Sequence, residues 1–140
     1  MTRTKAWRSI VALAGALWLA SLFLSVVEQT ELRGYLVLAL GWYGVVTGEM
    51  GWFANLVFFV GVAQLSSKGT IKSALSLLLA AAILTLAATT LFWDKSFGLE
   101  TEEAIAGLSF GAGYYAWMAA MLTVSVGLLF RSAANQQVLS

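Results

Sequence analysis

Long uncharged stretches dominate this chain: no Asp, Glu, Lys or Arg stands between Ser9 and Val27, between Met50 and Ser67, between Ser73 and Trp93, or between Ala104 and Phe130. At a rise of about 1.5 Å per residue, some twenty apolar residues wound as a helix cross the roughly 30 Å hydrocarbon core of a bilayer. A helix is the form such stretches take in lipid, because it satisfies its own backbone donors and acceptors. Only 11% of the 140 residues are charged and 60% are hydrophobic, against about 25% charged in an ordinary soluble domain. A water-soluble globule of this composition would lack the polar surface to cover its core.

The sequence therefore predicts one all-α domain over residues 1–140, an integral membrane four-helix bundle with outer-interface half-helices before the second and fourth spans. The first span is placed at 7–27. Its basic leader, with Arg3, Lys5 and Arg8, resembles a secretory signal, but the apolar run exceeds the usual length and Ser25-Val26-Val27 makes a poor cleavage site. The stretch after Gly34 is too long for one upright helix and carries Gly41, Gly44, Gly48 and Gly51 around Glu49. Glycines beside a charge mark a break, so it divides into an interfacial helix at 35–47 and a second span at 50–65. A third span follows at 71–93. The last apolar run divides into an interfacial extension at 104–110 and a fourth span at 111–130, counted back from Arg131.

Charge placement orients this scheme. With the N-terminus inside, Arg3, Lys5, Arg8, Lys68, Lys72 and Arg131 lie on the cytoplasmic side, leaving only Arg33 and Lys95 outside, as the positive-inside rule requires. All seven acidic residues, Glu28, Glu31, Glu49, Asp94, Glu100, Glu102 and Glu103, fall on the outer side. The expected location is a bacterial inner membrane with both termini in the cytoplasm. A short similarity between Gly51-Trp52-Phe53-Ala54-Asn55-Leu56 and Gly113-Tyr114-Tyr115-Ala116-Trp117-Met118 fits either a parallel duplication of two hairpins or a shared taste of entering helices for glycine and aromatics.

Little catalytic chemistry is available to such a chain. It has neither cysteine nor histidine, which removes thiolate nucleophiles, imidazole bases and the usual ligands of zinc, copper and haem. No phosphate loop, dinucleotide fingerprint or nucleophile elbow occurs. The expectation is a protein that is not an enzyme, with no cofactor, no metal and no nucleic-acid partner; a lipid enzyme at the outer face would have to use carboxylates, Tyr or Ser.

Three groups of residues draw attention. Trp42, Tyr43, Trp52, Tyr114, Tyr115 and Trp117 fall at the outer boundary, where they read either as an anchoring belt or, with Asn55, as a groove for a lipid, an apolar solute or a partner helix. Ala12, Ala16 and Ala20, with the pairs Gly44/Gly48 and Gly107/Gly111, form small-residue seams for close helix packing, within the chain or against another one. Glu49 is a helix cap if the chain breaks beside it and an ion-coupling carboxylate if it is embedded. Trp18, too deep for a belt, reads as a gap filler or partner contact. In size and span number the chain resembles small multidrug transporters, but no acidic residue lies between Ser9 and Val27, where that family embeds a glutamate, so the activity is not carried over. The expected function is an accessory, stabilising or immunity-type membrane subunit acting through helix–helix or lipid-facing interactions, with membrane lipid and a protein partner or second copy as its contacts. The alternative is a small oligomeric transporter or channel for an apolar or cationic solute.

Overall fold

The computed structural model describes residues 3–28, 32–47, 50–67, 73–91 and 109–139. Every regular element among them is helical: α1 (Arg3–Phe23), α2 (Gly34–Leu40), a 3-10 turn (Gly41–Tyr43), α3 (Gly44–Thr47), a second 3-10 turn (Gly51–Phe53), α4 (Ala54–Ser66), α5 (Ser73–Thr89) and α6 (Ala112–Leu139). Two stretches, Ala6–Phe23 and Ala112–Ala134, are long and apolar enough to cross a membrane, while Gly51–Ser66 and Ser73–Thr89 are apolar but shorter.

α6 is the hub, packed against α1, α5 and α4. Side-chain meetings fix the directions. Trp18 of α1 reaches Asn55 at the start of α4, Gly61 of α4 lies against Ile83 of α5 and Val124 of α6, and Ser73 of α5 meets Ser132 of α6. α1 and α5 therefore run antiparallel to α4 and α6. The shared core is Phe58, Leu65, Ile83, Met121, Val124 and Leu128, closed by Ala14, Ala80, Ala87 and Ala120 where helices approach closely.

The first helix, expected to reach Val27, stops at Phe23, and residues 24–28 are non-helical, with bends at 24 and 26, bridges at Ser25 and Val27, and a turn at 28. Both edges of that segment are paired. On one side Val26 N–H donates to Leu32 O (2.8 Å) and Gly34 N–H to Leu24 O (3.2 Å); on the other Gly111 N–H donates to Val26 O (2.8 Å), Gly113 N–H to Ser25 O (2.8 Å) and Glu28 N–H to Ser109 O (3.0 Å). Isolated antiparallel bridges, Ser25 to Arg33 and Val27 to Phe110, result. The β-branched Val26 and Val27 favour this conformation, and the pairing removes the cost of leaving helical hydrogen bonds. Arg33 closes the end of α1 by donating to Phe23 O. Of the interfacial extension expected at 104–110, Ser109 and Phe110 are not helical, Phe110 bridging to Val27, and the remainder lies outside the described residues.

Over 34–47, where an interfacial half-helix is expected at 35–47, the chain forms α2, a 3-10 turn and α3 in succession. α2 has no buried residue; it lies against α1 and presents Tyr35, Leu36 and Leu40 outward. At the opposite end of the molecule, buried Arg131 donates to Gln64 O (2.5 Å) and Ser67 O (3.0 Å). A cation thus caps the last carbonyls of α4, where the helix dipole is negative.

Candidate functional site

Asn55 opens α4 and is 7% exposed. Its side-chain oxygen accepts two indole N–H bonds, from Trp18 of α1 and Trp117 of α6, each 2.9 Å long, while its amide nitrogen donates to Trp52 O (3.0 Å). The two indole donors determine which way the amide faces, since only the carbonyl oxygen can receive both. Trp52 in turn donates from its ring nitrogen to Leu38 O of α2 (2.8 Å). One chain of hydrogen bonds therefore ties α1, α4 and α6 together and holds α2 over their ends.

Beneath α2 lies a cavity of about 450 Å³ walled by Trp18, Val37, Gly41, Trp52, Tyr114 and Trp117, among others. This size falls within the range of small-molecule sites, about 300–1,000 Å³, and the mixture of apolar wall with a few placed polar groups is theirs as well. Gly41 is required where it stands: a Cβ there would meet the Trp52 ring. Gly113 is held equally tightly, because its Cβ would come within 2.7 Å of Leu24 O and 2.8 Å of Ser25 O. Among the described residues no charged side chain lines the cavity.

Polar chemistry is concentrated in two hydroxyl groups. Thr90 Oγ1 donates to Ala87 O at 2.6 Å and lies 3.1 Å from Tyr114 Oη. A hydroxyl has one proton. With that of Thr90 committed to Ala87, the bond between the two hydroxyls runs from Tyr114 to Thr90, and the Tyr114 oxygen keeps its accepting lone pairs. Ser21, buried in the wall, likewise spends its proton on Trp18 O (2.6 Å).

The residues singled out in the sequence separate into two sets. Trp52, Asn55, Tyr114 and Trp117 converge on the cavity. Trp42 (58% exposed) and Tyr43 stand at its outer rim, and Tyr115 (62% exposed) faces away. Trp18, Thr90 and Ser21 complete the site and were not among the expected groove residues. A tryptophan deep in an apolar helix needs a partner for its N–H, and Asn55 is a polar group of the second apolar stretch able to accept one; that demand was the available signal for Trp18. Thr90 carried none.

The small-residue seam does not pack inside the molecule: Ala12, Ala16 and Ala20 are all exposed, whereas Ala14 and Ser21 form the buried side of α1. Gly111 approaches backbone, at Ser25 and Val26, rather than another helix, and Gly44 sits at the cavity wall. Glu49, Gly48 and Gly107 lie outside the described residues. No group of three or more acidic side chains able to hold a metal occurs among the described residues. Comparison with protein-family models, with curated proteins and with solved structures finds no match.

Proposed function

We propose that this chain is a small integral membrane protein of four spans that works without catalysis, as an accessory or stabilising subunit that holds a lipid-derived apolar molecule in the cavity under α2. The observation that carries the reading is that cavity: about 450 Å³, apolar, and walled by Trp18, Trp52 and Trp117, whose N–H groups are already spent on Asn55 and on Leu38. Walls of that kind gain by covering an apolar guest and offer no counter-charge to an ionic one.

The membrane setting draws support from the outer surface. Leu13, Leu19, Leu56, Phe59, Leu78, Leu122 and Phe130, taken from all four long helices, are exposed, a distribution that suits lipid on every side and would leave a soluble protein with large apolar patches. Arg8 and Arg131 stand at one end and Glu28 and Arg33 at the other. With the positive-inside rule this favours both termini in the cytoplasm of a bacterial inner membrane and the cavity at the outer leaflet. A chain without His or Cys fits a holding role better than a reaction.

The test is native mass spectrometry of the protein released from its own membranes, beside a variant in which Val37→Phe fills the cavity. The parent carries one apolar adduct and the variant loses most of it. A parent that flies bare under conditions that retain bound lipid, or a filled variant with undiminished adduct, overturns the reading.

A further inference from the structure

The hydroxyl pair at the cavity wall specifies the head group of the guest. We infer that the cavity selects an uncharged amphiphile whose polar end is a hydrogen-bond donor, an alcohol or phenol on an apolar chain, and seats that donor on Tyr114; this rests on the cavity being a binding site.

The inference follows from counting protons. Thr90 gives its only hydrogen to Ala87 O, Tyr114 gives its own to Thr90, and Ser21 gives its own to Trp18 O. The indole N–H groups of Trp18 and Trp117 go to Asn55 and that of Trp52 goes to Leu38. What remains at Thr90, Tyr114 and Ser21 are lone pairs, so these three hydroxyls accept and do not donate; the donors left to the lining are the second amide proton of Asn55, whose first goes to Trp52 O, and the rim groups of Trp42 and Tyr43. Placed on Tyr114, a ketone, ether or ester head would set lone pairs against lone pairs. A carboxylate or phosphate would lose its hydration with no cation among the described lining residues to replace it, a cost far above that of a neutral hydroxyl. An alcohol satisfies Tyr114 and leaves its chain against tryptophan and leucine.

Two variants separate this from mere greasiness. Tyr114→Phe removes the acceptor but keeps the ring stacked on Phe110, whose centroid lies 3.9 Å away. Thr90→Val keeps the side-chain shape but deprives Tyr114 of its acceptor, which releases the phenolic proton and turns the wall from acceptor to donor.

The experiment measures quenching of the cavity tryptophans by bromine-tagged alkyl probes in phosphatidylcholine nanodiscs at equal mole fraction. The probes share one chain and differ in head: alcohol, methyl ether, carboxylate and amine. In the parent protein the alcohol binds about three- to tenfold tighter than the ether, the worth of one neutral hydrogen bond, and tighter than either charged probe. Tyr114→Phe brings alcohol and ether level, and Thr90→Val shifts the preference toward the ether. Equal binding of alcohol and ether by the parent, preference for a charged probe, or a Thr90→Val protein that keeps the parent order overturns the head-group assignment while leaving the cavity reading intact. Failure of every probe to quench beyond the level seen with Val37→Phe overturns both.

Discussion

Asn55 is where a single atom holds three helices. Its carbonyl oxygen has two lone pairs, and both are taken by indole donors from α1 and α6. Replacing it with leucine leaves two indole N–H groups without their acceptor beside an apolar cavity. An unsatisfied buried donor costs on the order of 1–3 kcal/mol, and cross-helix bonds in membranes average about 0.6 kcal/mol because the separated helices find other partners. Asn55→Leu should therefore destabilise by roughly 1–3 kcal/mol, measured by reversible unfolding in bicelles. Trp117→Phe removes one donor and leaves Asn55 serving Trp18, so it should cost less. In the double variant the two effects should fall clearly short of additive, since the interaction shared by the pair can be lost only once. Strict additivity would show that the bond between Asn55 and Trp117 contributes nothing.

Glycines reveal which elements meet by backbone and which merely tolerate a small residue. The Cβ of an alanine at 113 would press on the carbonyls of Leu24 and Ser25, at 2.7 and 2.8 Å, and those carbonyls belong to the paired segment that receives the Gly113 N–H. Gly15 in the middle of α1 has nothing within 4 Å of the same position. Gly113→Ala should lower stability by about 1–3 kcal/mol through overpacking, while Gly15→Ala should raise it by up to about 1 kcal/mol through helix propensity; thermal unfolding of the two variants side by side gives the opposite signs directly. The pair also shows how far sequence could reach. Glycines and a charge interrupt an apolar run between Gly41 and Gly51, and 3-10 turns stand at Gly41–Tyr43 and Gly51–Phe53. The non-helical turn at 24–28 is not legible in the sequence, because Leu24 to Val27 look as apolar as the helix before them and their partners at 109–113 come from a far part of the chain. Distance in sequence hid the site in the same way: Asn55 is 37 residues from Trp18 and 62 from Trp117. Periodicity could place each on a helix but not bring them to one point. The alanine stripe is covered by none of the chain's described helices; small residues at helical spacing mark a face without saying what packs on it.

Across the whole molecule, the two ends differ in chemistry as sharply as its flanks agree. From Ala112 to Ala133 α6 rises about 32 Å at 1.5 Å per residue, close to the roughly 30 Å hydrocarbon thickness. At one end Arg131 turns its charge onto the C-terminal carbonyls of α4, which lets that shorter helix finish without leaving those carbonyls unpaired. At the other, the paired segments 24–28, 32–34 and 109–113 satisfy each other's backbone and α2 closes the cavity. An outer leaflet would supply lipid to such an opening, and the positive-inside rule turns the basic end, opposite the cavity, toward the cytoplasm. Orientation is therefore the prediction on which the supply of a guest depends, and a chain without cysteine permits a clean measurement. In intact cells an impermeant maleimide should label Glu28→Cys, which sits beside Ser109 at the cavity end, and should reach Ala133→Cys, exposed at the opposite end, only after the membrane is opened. Labelling in the reverse order would place the cavity on the cytoplasmic side, and equal labelling of both would show that the chain does not separate two compartments.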